Sequence, residues 1–225
     1  MGVLAFKVAS GEITNFPLLQ RIAEKQKPVI ISTGMSTMSE IEDAVGFFTG
    51  KGLEDIILLH CVTSYPAKFE SVNLRAIKFL KCHFDFPIGF SDHTLGTLIP
   101  VAAVSMGAVL IEKHLTLNKS LNGPDHRASL EPGEFKKMVD DIRITEKAMG
   151  SFEERSFEEE EIKKVVRRSI VAKMFISKGS IISADMVDFK RPGTGISPKY
   201  LEKIIGKRAK CDLAPDELFT FDGLE

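Results

Sequence analysis

Short apolar runs alternate with amphipathic stretches from Val3 to Leu117. The runs Val3–Ala9, Pro28–Ile31, Asp55–Leu59, Pro87–Phe90 and Ala108–Ile111 are apolar at successive positions, the texture of strands buried on both faces. Each stops in small polar or charged residues: Ser10-Gly11-Glu12, Ser32-Thr33-Gly34, His60 to Tyr65, Ser91-Asp92-His93-Thr94 and Glu112-Lys113-His114. Asn15-Phe16-Pro17 predicts a capped helix start, with Leu18, Leu19, Ile22 and Ala23 following at helical spacing. Ser36 or Thr37 caps a second helix, with Ile41, Ala44, Val45 and Phe48 on one face and a stop at Gly50-Lys51-Gly52. Leu74, Ile77, Phe79 and Leu80 predict a third helix, Leu98–Met106 a fourth, and Pro132 to about Met149 a fifth. The fifth strand reads as continuing from Ala108 to Leu117.

This is β/α repetition with the polar residues gathered at the strand ends. In a (β/α) barrel those carboxyl ends all open onto one face, which carries the active site. Five units do not close an eight-stranded barrel, and an open sheet leaves two unpaired edges. The expectation is an α/β fold, a partial TIM barrel over residues 1–150, completed by strands that precede this sequence or by another chain. Composition then shifts. Residues 151–168 form a charged linker or surface helix, with Glu153, Glu154 and Glu158 to Glu161 followed by Lys163, Lys164, Arg167 and Arg168. Residues 169–225 are rich in short apolar runs, glycine and proline, which predicts a small β-rich second domain.

At 225 residues, 44% apolar and 27% charged, the chain is long enough for one large domain or a medium and a small one. The net charge of −1 argues against a generally basic nucleic-acid binder. No apolar run approaches the roughly 20 residues that span a bilayer, so no membrane partner is expected. Cys61, Cys82 and Cys211 are odd in number and form no CxxC pair, which fits a reducing cytoplasm and suggests neither a disulfide framework nor a thiolate zinc site.

His93 and His114 end neighbouring strands. Two imidazoles there can share one divalent metal and leave positions open for substrate and water; Mn, Zn and Fe all suit that donor type. Lys7 lies inside an apolar strand, where a charge needs a polar pocket or an anion. With the hydroxyls of Ser10, Ser32, Thr63 and Ser91, it outlines a pocket for a phosphate or carboxylate, although no Walker loop is present. Glu12, Glu112 and Asp125 are candidate acid–base groups, Asp125 from the turn Asn-Gly-Pro-Asp-His. Cys61 reads as packing rather than a nucleophile, and His83 and His126 as surface residues.

Six ordered motifs carry a resemblance to a known family. Phe-Lys-Val-Ala-Ser-Gly-Glu (6–12), Ile-Ser-Thr-Gly-Met (31–35), His-Cys-Val-Thr-Ser-Tyr-Pro (60–66), Gly-Phe-Ser-Asp-His-Thr (89–94), Ile-Glu-Lys-His (111–114) and Gly-Pro-Asp-His-Arg-Ala-Ser-Leu (123–130) resemble the sialic acid synthase family. Lys-Arg-Pro-Gly-Thr-Gly-Ile (190–196) resembles its C-terminal antifreeze-like (SAF) domain. The resemblance implies a TIM barrel joined to that domain and a transferase of carbohydrate biosynthesis. Such an enzyme condenses phosphoenolpyruvate with an N-acyl hexosamine to a nine-carbon 2-keto acid and phosphate. It implies a divalent metal on His93 and His114, manganese by preference, with magnesium or cobalt as alternatives. It assigns Lys7, Ser10, Ser32, Thr63, Ser91 and His114 to phosphoenolpyruvate, and Glu12, Tyr65, Asp125 and Arg191 to the sugar. Glu12, Glu112 and Asp125 become the catalytic set. Arg191 would reach the sugar N-acyl group of a neighbouring subunit, which implies a domain-swapped homodimer. Thr63 departs from the asparagine of some members and can replace only one of the amide's hydrogen bonds. The resemblance covers the last two-thirds of such an enzyme, with the first three β/α units absent and turnover by this chain alone therefore expected to be impaired. A non-catalytic carbohydrate-binding or subunit-interaction remnant is the alternative expectation.

Overall fold

A computed structural model describes residues 2–151 and 156–225. The chain divides into two compact units, Met1–Gly150 and Ser151–Glu225.

The first unit alternates β1 (Phe6–Val8), α1 (Phe16–Ala23), β2 (Val29–Ser32), α2 (Met38–Thr49), β3 (Ile56–Cys61), α3 (Arg75–His83), β4 (Ile88–Asp92), α4 (Leu98–Ser105), β5 (Ile111–Lys113) and α5 (Pro132–Met149). The strands form one parallel sheet in sequence order, β1 to β5. Its register runs Val8↔Ile31, Ile31↔Leu58 and Leu58↔Ile88, and these four side chains are buried. Ile22, Ala44, Phe48 and Ile77 on the helices close over the same core. A parallel sheet covered by helices needs strands apolar on both faces, which is why the runs read as continuous rather than alternating.

Local signals set the helix ends. The Asn15 side chain accepts from the Leu18 N–H at 3.3 Å, with Pro17 in the first turn. Of the two candidate caps, Thr37 starts α2 through a reciprocal capping box with Glu40. The Thr37 backbone N–H and hydroxyl hold the Glu40 carboxyl below its ordinary value. Gly89 sits where a Cβ would stand 2.5 Å from Leu59 and 2.6 Å from the Leu110 carbonyl, so β4 tolerates no side chain there. β5 is shorter than the reading Ala108–Leu117. After Lys113 the chain leaves β4, and Leu115 instead bridges Leu130.

The second unit contains α6 (Phe157–Val166), β6 (Ser169–Ala172), β7 (Val187–Lys190) and α7 (Leu201–Ile204). The charged segment forms helix α6 from Ser156 onward and buries none of its residues; Glu153 and Glu154 lie outside the described residues. β6 and β7 pair antiparallel from Ser169↔Lys190 to Ala172↔Val187. Isolated bridges, including Val171↔Leu218 and Ile176↔Leu213, build the rest around Ile170, Ile182, Ile204 and Phe219. No helix among the described residues is long and apolar enough to cross a membrane.

His60 on β3 donates from Nε2 to the Val72 carbonyl at 2.7 Å, and tethers the turn before α3. Burial pushes its imidazole below the ordinary 6.5, partly countered by that carbonyl. The unfolded chain therefore takes up a proton near 6.5 that the native His60 refuses, and stability falls as pH drops from that value toward the native pKa. A His60→Gln variant keeps a donor but cannot titrate. Its urea-unfolding free energy should depend less steeply on pH below 6.5, by up to about 1.4 kcal/mol per pH unit.

Candidate active site

Register and the two-residue period of a strand decide which side chains share the barrel interior. Cys61 pairs with Ser91 and Ser91 with Glu112, so the three lie side by side on one face. Two residues further on, the same face receives His93 and His114. Lys7 reaches it from β1 and Ser32 from β2.

Four of these groups, Lys7, Ser32, Ser91 and Glu112, form a continuous polar network. The Lys7 ammonium donates to Ser32 Oγ at 2.8 Å and lies 3.6 Å from Glu112 Oε1. Ser91 Oγ donates to the same Glu112 oxygen at 2.7 Å. Ser10 Oγ accepts from the Gly34 N–H at 3.2 Å and lies 3.0 Å from Cys61 Sγ. A Cβ on Gly34 would stand 2.4 Å from Thr63 Oγ1, 2.7 Å from Cys61 Sγ and 2.8 Å from Ser10 Oγ. The absence of that carbon lets the Ser10 and Thr63 hydroxyls and the Cys61 thiol gather in a close cradle around the Gly34 backbone.

Beside the cradle stand three rings. The His93 and His114 centroids are 5.4 Å apart with nearly perpendicular planes, and Tyr65 lies 4.2 Å from His93 and 5.4 Å from His114. His93 donates from Nδ1 to the Val62 carbonyl at 2.8 Å. That bond fixes the tautomer and leaves Nε2 as the atom with a free lone pair. Burial pushes the His93 imidazole below its ordinary value, the Val62 carbonyl raises it and His114 lowers it further. A neutral ring with an oriented Nε2 is the form a cation requires. The ring spacing suits two imidazoles about 2.1 Å from one shared ion. The residues therefore fit a divalent metal as a two-imidazole site. Among the described residues no group of three or more His, Cys, Asp or Glu could hold one, so water or substrate would complete the coordination.

Asp125 Oδ2 lies 3.9 Å from His114 Nδ1, at the edge of the same cluster. Glu12 occupies the turn after β1, where it accepts from Asn15 Nδ2 at 2.6 Å. Arg191 belongs to the second unit, is exposed, and donates from Nε to the Val166 carbonyl at 2.9 Å. His83 pairs with Glu42 at 2.7 Å. His126 is not a free surface residue, because its Nδ1 lies 2.7 Å from Thr116 Oγ1 and ties the Asp125 turn to the chain after β5.

Sequence reasoning missed the layer directly behind the histidines. Asp92 and Lys113 are register partners whose side chains are both 0% exposed and meet at 2.6 Å. The signal was present as charged residues preceding each histidine, on the opposite strand parity. It is easily overlooked because a charge at a strand end reads by default as solvated.

The profile of the NeuB family matches residues 1–154, and that of the SAF domain matches residues 167–225. An uncharacterized protein of Methanocaldococcus jannaschii is 51% identical over the whole chain, which spans 67% of that protein. The N,N'-diacetyllegionaminic acid synthase of Legionella pneumophila is 44% identical over the whole chain, which spans 65% of that enzyme. The chain thus spans about two thirds of the length of these curated relatives. Among solved structures, the N-acetylneuraminic acid synthetase of Leptospira borgpetersenii in complex with citrate matches with a TM-score of 0.68 at 44% identity, over 72% of this chain and 57% of that one. The expected partial TIM barrel with a C-terminal SAF domain is what the fold and these profiles give, and the chain belongs to the NeuB family.

Proposed function

We propose that the strand-end face of the first unit binds phosphoenolpyruvate beside the open-chain aldehyde of an N-acyl hexosamine and joins them into a nine-carbon 2-keto acid with release of phosphate. The observation that carries this reading is the convergence on one face of the Lys7–Ser32–Ser91–Glu112 network and the His93–His114 pair. The names of the relatives support the product class, since they make diacetyllegionaminic and N-acetylneuraminic acids.

The Lys7 ammonium and the hydroxyls of Ser10, Ser32, Thr63 and Ser91 are donors suited to the phosphate and carboxylate of phosphoenolpyruvate, Lys7 being tethered by Ser32 and Glu112. His114 would serve both phosphoenolpyruvate and the cation. Donors positioned in advance stabilise developing charge without reorganisation. A divalent ion, manganese by preference with magnesium or cobalt as alternatives, would be held by His93 Nε2 and the His114 ring, and supplies Lewis-acid polarisation of the aldehyde oxygen when bound. The phosphoenolpyruvate methylene carbon attacks the aldehyde carbon, whose oxygen takes a proton from the Asp125 or Glu12 side. Water adds to the enol carbon and gives up its proton to Glu112. The tetrahedral intermediate then breaks its C–O bond to phosphate, and its hydroxyl forms the ketone by passing its remaining proton to the departing phosphate. Glu112 suits the proton-accepting role because an incoming dianion competes for Lys7 and Ser91, the donors that hold its carboxylate. Tyr65 and Asp125 line the sugar side, and Arg191 of a domain-swapped partner would meet the N-acyl group. The cysteine usage fits a cytoplasmic enzyme of this kind.

Isothermal titration of phosphoenolpyruvate into the chain with Mn2+ should give saturable binding. Lys7→Met should weaken it about 10- to 100-fold, the worth of one charge-assisted hydrogen bond. Absence of binding to the unsubstituted chain would overturn the reading. Gly34→Ala should weaken the same binding at least as much while the chain stays folded by circular dichroism, because the new methyl would displace Ser10 Oγ, Cys61 Sγ and Thr63 Oγ1. Titration of N-acetylmannosamine and of a diacetamido-trideoxyhexose into the phosphoenolpyruvate complex then distinguishes the sugars.

A further inference from the structure

The buried pair behind the histidines has no part in the chemistry above, yet it touches the chain on both sides of His93. The Lys113 ammonium donates to Asp92 Oδ2 at 2.6 Å and also to the Thr94 carbonyl. Asp92 Oδ1 accepts the Thr94 N–H at 2.9 Å, and Asp92 Oδ2 accepts from the Thr94 hydroxyl at 3.2 Å. Residues 92 and 94 are thus fastened to one ammonium, with His93 between them. That ammonium belongs to the residue immediately before His114.

The strand ladder is anchored mainly at its start and is short where the histidines leave it. The Val109 N–H donates to the Ile88 carbonyl at 2.9 Å and the Phe90 N–H to the Leu110 carbonyl at 2.8 Å, and β5, three residues long at the end of the sheet, then meets β4 at Phe90↔Ile111, Ser91↔Glu112 and Asp92↔Lys113. A slip of one residue would turn His114 toward the helices and bring Lys113 into the barrel interior. The last of the three register pairs is the ion pair itself. Burying two charges is costly, and well-packed apolar residues often stabilise a fold as well or better. What an apolar pair cannot supply is a directional bond that exists in one register only.

We propose that Asp92 and Lys113 are positioning residues: a buried cross-strand clamp that locks the β4–β5 register and so aims His93 and His114 at one cation. The cation arm of this inference rests on the two-imidazole site proposed above; the ring geometry does not.

The test uses the whole 225-residue chain. The paired variant Asp92→Asn with Lys113→Met leaves no unpaired buried charge, retains an acceptor for the Thr94 N–H and fills the lysine's volume. It should unfold cooperatively like the unsubstituted chain. Two readouts then separate positioning from support of the fold. In the metal-free protein, the nuclear Overhauser contact between the His93 and His114 ring protons should be present in the unsubstituted chain and lost in the paired variant. Mn2+ affinity, read from the paramagnetic resonance of the free ion, should fall about 10- to 100-fold, as for removal of other groups that orient metal-binding histidines. Leu19→Ala, a core truncation on α1 far along the sheet from β4 and β5, should destabilise the chain and leave both readouts unchanged. If the paired variant keeps the ring contact and the Mn2+ affinity of the unsubstituted chain, the clamp is refuted. If the unsubstituted chain takes up no Mn2+, the cation site is refuted, and the ring contact alone still decides whether the clamp positions the pair. Should the paired variant fail to unfold cooperatively, Asp92→Asn with Lys113→Leu, a second neutral pair that also leaves no unpaired buried charge, is read the same way.

Discussion

Strand parity, enforced by hydrogen-bonded register, is the constraint from which the candidate site follows. A parallel strand offers successive side chains to the barrel interior and to the helices by turns. Once Cys61, Ser91 and Glu112 are aligned across β3, β4 and β5, the positions two residues later share their face. His93 and His114 meet at 5.4 Å for that reason, although their loops have little else in common. The same parity sends Asp92 and Lys113 to the other side, beneath the helices. Fixed β-strand ends hold catalytic geometry better than free loops do, so the network is well placed to act on a small anion.

The two charged layers behave differently because their solvent differs. Lys7 and Glu112, at 3.6 Å with side chains 32% and 39% exposed, face the open mouth. Water screens their attraction, so the contact is weak and easily exchanged for a ligand. Asp92 and Lys113, at 2.6 Å and 0% exposed, have no such competitor, and their polar atoms are answered by Thr94 and by each other. The Asp92–Lys113 pair therefore acts as scaffold, and the Lys7–Glu112 pair as a site that can change partners. The burial that lowers the His93 pKa belongs to the same arrangement. It favours the neutral imidazole, while the bond to the Val62 carbonyl leaves the lone pair on Nε2.

Much of this was legible in the sequence, for reasons that can be named. A parallel sheet under helices demands continuous apolar runs, and Val29–Ser32 and Ile56–Cys61 supply them. Capping is chemically local, so Asn15 and Thr37 mark helix starts correctly. The end of β5 was not legible. Leu115 and Leu117 continue the apolar run, yet the backbone there turns to pair with Leu130, a residue supplied by the next segment. The His126 contact is hidden on the same ground, since its partner Thr116 sits across a turn whose closure no local pattern announces.

The Asp92–Lys113 pair lies between these cases. Its ingredients are in plain view, but composition assigns a charge to solvent unless a partner is specified, and the partner is specified only by register. Register itself follows from parity. If Ser91 and His93 face inward, Asp92 must face the helices, and the residues of β5 that can meet it without turning Glu112 and His114 away from the interior are Ile111 and Lys113, of which Lys113 alone carries the opposite charge. A charged residue beside an inward-facing histidine on each of two adjacent strands, opposite in sign and equal in parity, is therefore a pattern with its own physical meaning. It marks a buried bond between strands behind a site, and strand parity makes it recognisable in the sequences of other β/α proteins.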